Sequence, residues 1–212
     1  LRLAPSIFAR VVHSYRRIRN TLRFLLANTS DFDPKKDAVP VSEMLELDRW
    51  ALARVDALQD RILELEQTYQ FHLVTSLLMS FATEDLGGFY LDVLKDRLYT
   101  TKADGLPRRS AQTALWHITA TLLRLMAPIL SFTAEEAFAV FSPNESGTIF
   151  TETNHMVPEV ANAPELLAKW EAVRSARAKV LKEIETLRAE GKIGSSLAAD
   201  AVITASGSDW QY

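Results

Sequence analysis

Apolar residues recur every three or four positions through most of the chain, which is the spacing of one face of an α-helix. The first such stripe lies between residues 5 and 27 and is centred on Ile18. At 100° per residue its other members fall within about 60° of Ile18: Ile7, Val11, Tyr15, Leu22 and Leu25. Arg16, Asn20 and Arg23 fall roughly opposite Ile18, and further arginines lie on the flanks, so the pattern predicts an amphipathic helix that ends near Asn28.

The same periodicity predicts further helices along the chain. They cover residues 46–67, 71–81, 89–99, 108–126, 133–141 and 164–190. The helix at 71–81 is apolar on nearly every side and is predicted to be buried. Gly87 and Gly88 are expected to loosen the chain before the next helix, and Thr133 with Glu136 has the spacing of a capping box.

The predicted fold is therefore all-α, a helical bundle followed by a long charged helix. Residues 1–141 form the bundle, 142–163 a linker loop, and 164–212 the long helix with a truncated C-terminal segment. Residues 201–204 could form a short strand. A lone strand has no pairing partner, so this strand is expected to be the remnant of a larger sheet.

Composition narrows the class of protein. The 212 residues are 48% hydrophobic and 24% charged, with only 7 glycines, which favours helices over sheets. The absence of cysteine excludes disulfides and thiolate zinc sites and favours a reducing, cytoplasmic setting. No apolar run approaches the roughly 18 residues of a membrane span, so no membrane partner is expected. Because the sequence begins at Leu1 without Met, it is interpreted as a piece of a longer protein.

Charge changes the picture most in the first thirty residues. They contain six arginines and no acidic residue, although the whole chain has a formal net charge of −3. Residues 31–69 reverse this, with ten acidic side chains against five basic ones. A basic helix on a mildly acidic protein is a candidate surface for a polyanion, and arginine suits phosphate because its planar fork grips two oxygens.

Other interpretations of these residues stay open. The arginines could form a solvated face whose stems cover apolar neighbours, or a basic face that docks an acidic protein. Glu152 and His155 have the spacing of carboxylate-bridged metal sites, but such sites need the pair twice and on helices. His72 and His117 are expected to be core or boundary histidines. No metal site and no catalytic group are therefore predicted.

Several short strings, in order, resemble the anticodon-binding domain of bacterial isoleucyl-tRNA synthetases. They begin with residues 15–28, Tyr-Arg-Arg-Ile-Arg-Asn-Thr-Leu-Arg-Phe-Leu-Leu-Ala-Asn, followed by the turn at 31–34. Later ones lie at residues 47–52, 90–99, 108–112, 126–130 and 193–197. The valyl, leucyl and methionyl enzymes share the bundle, and the valyl domain is the alternative within the class, but the first string points to the isoleucine enzymes.

The resemblance implies a class I ligase that joins isoleucine to its tRNA with ATP and magnesium. The catalytic signatures of that family are absent here, so the chain alone is expected to bind and position tRNA as a monomer without catalysing the ligation. Zinc-binding cysteines found at the C-terminus of many bacterial members are also absent. The implied tRNA-binding residues lie on the first helix: Arg16, Arg17, Arg19, Asn20, Arg23 and Phe24. Arg108 and Arg109 are set apart because they are expected to pair with acidic neighbours inside the bundle.

Overall fold

The computed structural model describes residues 5–143, 147–195, 199–200 and 202, with the side chains of 5–7 left out. These residues form α1 (Pro5–Thr29), α2 (Glu46–Gln67), α3 (Phe71–Ser80), a π-helical segment (Phe81–Tyr90), α4 (Leu91–Thr100), α5 (Leu106–Met126), α6 (Ser131–Phe141) and α7 (Ala163–Ala189), with short 3₁₀ turns at Val41–Glu43 and Ile149–Thr151. No strand occurs in the described ranges, which confirms the all-α class. The strand predicted at residues 201–204 lies outside them except for Val202, which is in no regular element.

The chain divides into two compact units, Leu1–Val160 and Ala161–Tyr212. In the first unit α5 is central and packs against α1, α2, α4 and α6. Its apolar and small side chains are buried on nearly every side, including Leu115, Ile118, Leu122 and Leu123. The second unit contains α7, which has no buried residue and begins after Asn162 in a left-handed backbone conformation with φ 55°.

The helices that periodicity predicted over residues 46–67 and 108–126 are confirmed, the first at these bounds and the second as Leu106–Met126. Pro107 lies in the first turn of α5, where its missing N–H leaves no intrahelical bond unmade. None of the helices within the described part of the chain is both long enough and apolar enough to cross a membrane.

The chain does not leave helical structure at Gly87 and Gly88, where the sequence predicted a looser stretch between two helices. Both glycines lie inside the π-helical segment, which joins α3 to α4 in one helical run from Phe71 to Thr100. A Cβ at Gly87 would approach the Ala82 carbonyl oxygen to 3.2 Å, and one at Gly88 would approach the Thr83 carbonyl oxygen to 3.1 Å. Glycine at these positions therefore removes a steric conflict with the wider turn instead of ending the helix.

Three other local predictions need correction. The capping box does not begin α6, because that helix starts at Ser131 and the side chains of Thr133 and Glu136 bond to α1 instead. The helix predicted to be buried over residues 71–81 buries only one side along α3, at Val74 and Leu78. The third correction concerns His72, which was expected to be a core or boundary histidine. It is exposed, as is Phe71 beside it at the start of α3.

An acidic side chain at the start of α2 ties three helices together. Asp48 is fully buried and accepts hydrogen bonds from Tyr90 at 2.8 Å, from both terminal nitrogens of Arg97 at 2.8 and 2.7 Å, and from Ser110 at 2.5 Å. Burial, together with the adjacent Asp48 carboxylate, raises the pKa of Tyr90 well above its ordinary value. The network fixes α2, α4 and α5 at the end of the bundle where α1 finishes.

Candidate nucleic-acid interface

The C-terminal half of α1 is anchored in the bundle by its apolar stripe. Ile18, Leu22 and Leu25 are 8%, 3% and 0% exposed, as the periodicity predicted. Thr21 adds a hydrogen bond of 3.3 Å from its hydroxyl to the Ala82 carbonyl in the π-helical segment. This half of the helix is therefore held with one fixed face toward the core.

The stripe is not covered along its whole length. Val11, which the periodicity placed in the core, is 61% exposed, so that part of the prediction is wrong; the side chain of Ile7 is outside the described atoms. Tyr15 donates or accepts a 2.9 Å hydrogen bond with Thr133, near the start of α6. Residues of α1 before Tyr15 extend past the beginning of α6, and the apolar side chains described there, Phe8, Val11 and Val12, are exposed.

Three of the predicted arginines point into solvent from the anchored half of α1. Arg16, Arg17 and Arg23 are exposed, as is Asn20. Within the described residues none of the three guanidinium groups forms an ion pair or a side-chain hydrogen bond. On the helical wheel Arg16, Asn20 and Arg23 lie opposite Ile18, and Arg17 lies on the flank that carries Thr21. The structure thus brings together an unneutralised basic face.

Arg19 differs from these three arginines. Its two terminal nitrogens bond to the two carboxylate oxygens of Glu136 on α6, each at 2.8 Å, and one of them also donates to Tyr15 at 3.5 Å. The hydrogen bond from Arg19 lowers the pKa of Glu136 and, reciprocally, raises the pKa of Arg19 further above its ordinary value. Arg19 is therefore bonded to a carboxylate and does not belong to the free basic face. The sequence showed only that α1 itself has no acidic residue, so it did not reveal Glu136 on α6 as a partner.

Phe24 is half-buried and sits on the Arg17 side of the wheel. Its backbone carbonyl accepts a hydrogen bond of 2.9 Å from the Asn28 side chain near the end of α1. The ring therefore lies at the boundary between core and solvent, apart from the surface on which Arg16 and Arg23 lie.

A groove that the sequence did not indicate lies between α1 and α6. It has a volume of about 260 Å³ and opens to solvent. Arg19 and Arg23 from α1 and Glu136 from α6 border it, with aliphatic side chains from both helices between them. Its signal in the sequence would have been the apolar Val140 on the same side of α6 as Glu136, one helical turn further along.

Arg108 and Arg109 pair with acidic residues, as expected. Arg108 contacts Asp31 at 2.8 Å, and Arg109 contacts Asp37 at 3.3 Å and the Gln112 side chain at 2.7 Å. Burial acts to raise the pKa of Asp31, but hydrogen bonds from Arg108 and Gln112 leave it below its ordinary value. These contacts connect the end of α1 and the following loop to α5, so both arginines are structural.

The two residues with metal-like spacing have separate structural partners. Glu152 forms an ion pair with Arg124, and the His155 ring lies 2.8 Å from the His117 ring, measured from Nε2 to Nδ1. Burial first, and then the field of His155, lowers the pKa of His117 to about 4; burial and Arg124 lower that of His155 to about 4. In the part of the chain that is described, no three acidic or histidine side chains gather as metal ligands would.

Comparisons with known proteins agree with the resemblance. A family model described as the anticodon-binding domain of tRNA ligase matches residues 48–203. The chain is 57% identical to an isoleucine–tRNA ligase of Janthinobacterium sp. (strain Marseille), 56% to one of Cupriavidus pinatubonensis and 58% to one of Paraburkholderia phytofirmans. Each match covers 98% of this chain and 22% of the relative, so the chain spans about a fifth of the length of these curated relatives. The chain belongs to the family of anticodon-binding domains of tRNA ligases.

Proposed function

We propose that this chain binds the tRNA for isoleucine and holds its anticodon end for a ligase that attaches isoleucine to that tRNA. The observation that carries the proposal is the exposed basic face of α1, where Arg16, Arg17 and Arg23 have no carboxylate partner among the described residues. The names of the relatives support isoleucine as the amino acid and tRNA as the partner.

The geometry supports a division of labour along α1. Arginine side chains gain most from phosphate when no carboxylate competes for them, and phosphate contacts fix the register of an RNA without reading its sequence. Arg16, Arg17 and Arg23 would make such contacts. Asn20 lies among them and presents both a donor and an acceptor, so it would read the edge of a loop base. Phe24 would lie at the margin of this contact.

Arg19 has a different role in this proposal. Both of its terminal nitrogens are already bonded to Glu136, so a phosphate would have to displace that carboxylate. Arg19 would therefore position α1 against α6 and would contact the RNA less directly than its neighbours.

The ligation reaction, with its ATP and magnesium, is assigned in this proposal to parts of the longer relatives outside the matched 22%. No residue of this chain is given a catalytic role, and zinc has no cysteine ligands here. The proposal also takes the working protein to be a cytoplasmic monomer with no membrane partner.

The basic face is tested by replacing Arg16 and Arg23 together with alanine and titrating the chain with a labelled tRNA for isoleucine. We expect at least about tenfold weaker binding in 50 mM salt. The slope of log affinity against log salt should fall by about 1.4, because about 0.7 is lost with each contact to a single-stranded phosphate. Far-UV circular dichroism should be unchanged, since neither side chain is buried.

The matched control replaces Arg61 and Lys95 with alanine. Both are exposed, and each pairs with an acidic residue three positions away on its own helix. This variant carries the same change in net charge, so equal weakening in both variants would mean that only overall charge matters. An unchanged salt slope in the Arg16 and Arg23 variant would contradict the proposal.

Specificity is tested separately with the tRNA for valine. A preference for the isoleucine tRNA at two salt concentrations would support the reading of anticodon bases. Equal binding of both would limit the role of α1 to phosphate contact. Failure to bind either RNA would favour the docking of an acidic protein on the basic face.

A further inference from the structure

The turn between α2 and α3 holds a tyrosine in a backbone conformation that favours glycine. Tyr69 has a φ of 58°, in the left-handed region. Its N–H donates to the Glu66 carbonyl at 3.0 Å, and the N–H of Gln70 donates to the Leu65 carbonyl at 2.9 Å. These two bonds are those of the Schellman motif, whose left-handed position is usually glycine. A larger residue there carries a steric penalty, because its Cβ crowds the following carbonyl oxygen.

The bundle gains little from the ring that this backbone carries. Tyr69 is 80% exposed, and within the described ranges its hydroxyl forms no hydrogen bond. The ring meets that of Phe71 edge to face, with centroids 6.0 Å apart and ring planes at 81°, but Phe71 is itself 47% exposed. A residue held in an unfavourable conformation without a gain for the fold indicates a use outside the fold.

The charge around this aromatic pair is of one sign. Residues 62–94 contain five acidic side chains and no lysine or arginine. Glu64 is bonded to Arg61 at 2.8 Å. Glu66, whose carbonyl accepts the Tyr69 N–H, is half-buried, and its carboxylate has no partner among the described residues. Burial raises the pKa of Glu66. The C-terminal end of a helix is also the negative end of its dipole, so the last turn of α2 favours a cation.

These features together select an arginine as the group that binds. A guanidinium stacks on an aromatic face and pairs with a carboxylate through two nitrogens, so it matches Tyr69 and Glu66 at once. RNA and anionic lipid are disfavoured, because their phosphates would meet Glu66 and the other acidic residues of this stretch. A protein segment with arginine beside apolar residues supplies both the guanidinium and a contact for Phe71.

We propose that Tyr69, Phe71 and Glu66 form a docking site for an arginine-bearing segment of a partner protein. The guanidinium stacks on the Tyr69 ring and pairs with the Glu66 carboxylate, while the Phe71 ring packs against the apolar part of the same segment. The site is separate from the basic face of α1 and needs no RNA, so the proposed function stands whether or not this inference holds. It also gives a physical reason for tyrosine, instead of glycine, at the left-handed position.

The chemistry is tested with the peptide acetyl-Ala-Arg-Ala-Arg-Ala-amide, titrated into the isotope-labelled chain and followed by NMR. The counterpart with citrulline has nearly the same shape without the charge and should not bind. Tyr69→Gly and Glu66→Gln should each weaken binding of the arginine peptide by about fivefold. The matched controls are Glu64→Gln, at a carboxylate already bonded to Arg61, and Tyr99→Ala, at a tyrosine that is 65% exposed on α4. Both should stay within about twofold.

Urea denaturation checks that the ring does not serve the fold. Tyr69→Gly should leave the midpoint unchanged or raise it, because glycine accepts a φ of 58° without strain. A lower midpoint would show that the bundle needs the ring and would overturn the inference. Equal weakening by Glu66→Gln and Glu64→Gln would also overturn it, since overall charge would then account for the binding, and so would equal binding of the citrulline peptide.

The partner is tested by placing p-benzoylphenylalanine at the position of Tyr69 in the full-length protein that contains this chain, irradiating living cells and identifying the joined peptides by mass spectrometry. We expect a crosslink to an arginine-containing segment of a different protein, lost with Glu66→Gln and retained with Glu64→Gln. A crosslink to RNA, to a second copy or to another part of the same protein would overturn the proposal, as would the absence of any crosslink.

Discussion

Two sets of arginines in the bundle differ in what surrounds them. Arg97 and Arg109 are largely covered and bonded to carboxylates from other parts of the chain. Arg16 and Arg23 on α1 are exposed and have no such partner in the described ranges. The same side chain therefore holds helices together in one region and is available to an external anion in the other.

The difference comes from the carboxylates and not from the arginines. Asp48 is placed by α2 where Arg97, Tyr90 and Ser110 converge, so that the charge of Asp48 is compensated inside the bundle. On α1, acidic residues are absent from the helix, and the neighbouring α6 supplies one within reach, Glu136. Substitutions in the two sets should consequently separate stability from RNA binding.

The largest expected effect is on the buried side of this comparison. Asp48→Ala should lower the free energy of unfolding by about 3–5 kcal/mol, because it leaves the Arg97 charge and two hydroxyl donors without their acceptor. Urea denaturation followed by circular dichroism measures the change, and Arg16→Ala is the control, expected within about 0.5 kcal/mol. A loss below about 1 kcal/mol for Asp48→Ala would mean that the network adds little to stability.

These buried contacts bear on what the sequence could reveal. The strings that carried the family resemblance include Asp48, Tyr90, Arg97, Ser110 and Arg109, and all five are bonded inside the bundle. These later strings therefore carry the resemblance partly through residues that maintain the fold. The residues proposed to contact RNA lie in the first string, at residues 15–28, and most of them were also marked by the charge of α1, a signal that shows polarity but not partners.

Periodicity predicted the helices well because it reports which face of a helix is apolar. It gave the bounds of α2 and the buried positions Ile18, Leu22 and Leu25. It could not say how far a neighbouring helix extends. Val11 was therefore placed in the core, although the start of α6 lies beside Tyr15, one turn after Val11 on α1.

Local motifs failed where a distant contact competed for the same side chains. Thr133 and Glu136 match a capping box, but Tyr15 and Arg19 on α1 offer them better partners. The groove between α1 and α6 was missed for the same reason, since it exists only once two segments more than a hundred residues apart are packed together.

The next largest expected effect is a loss of stability at low pH, caused by His117 and His155. His117 and His155 have a folded-state pKa of about 4, whereas an unfolded histidine titrates near 6.5. Below pH 6.5 the unfolded chain takes up protons that the folded chain does not, so stability falls as the pH is lowered. We expect a loss of about 2 kcal/mol between pH 7 and pH 5, discounted for the partial exposure of the rings.

Urea denaturation at both pH values measures this loss. Replacing His117 and His155 with glutamine should remove most of the difference between the two pH values. The matched control is His72→Gln, because His72 is exposed and should leave the difference unchanged. If the double variant keeps the full pH dependence, the buried histidine pair is not its source.

The smallest expected effect on stability concerns Arg109, one of the two arginines bonded to carboxylates inside the bundle. Arg109 is only 17% exposed and bonds to Asp37, to the Gln112 side chain and, at 3.2 Å, to the Asp31 carbonyl. Arg109→Ala should cost about 1–2 kcal/mol in urea denaturation, which is less than Asp48→Ala because Asp37 and the loop carbonyl can regain water. Arg109→Lys should recover less than half of the loss, since one ammonium cannot reproduce a fork that spans three acceptors.

RNA affinity measured at the same temperature should stay within about twofold for both variants, and a loss comparable to that of the Arg16 and Arg23 variant would erase the division between the two sets of arginines.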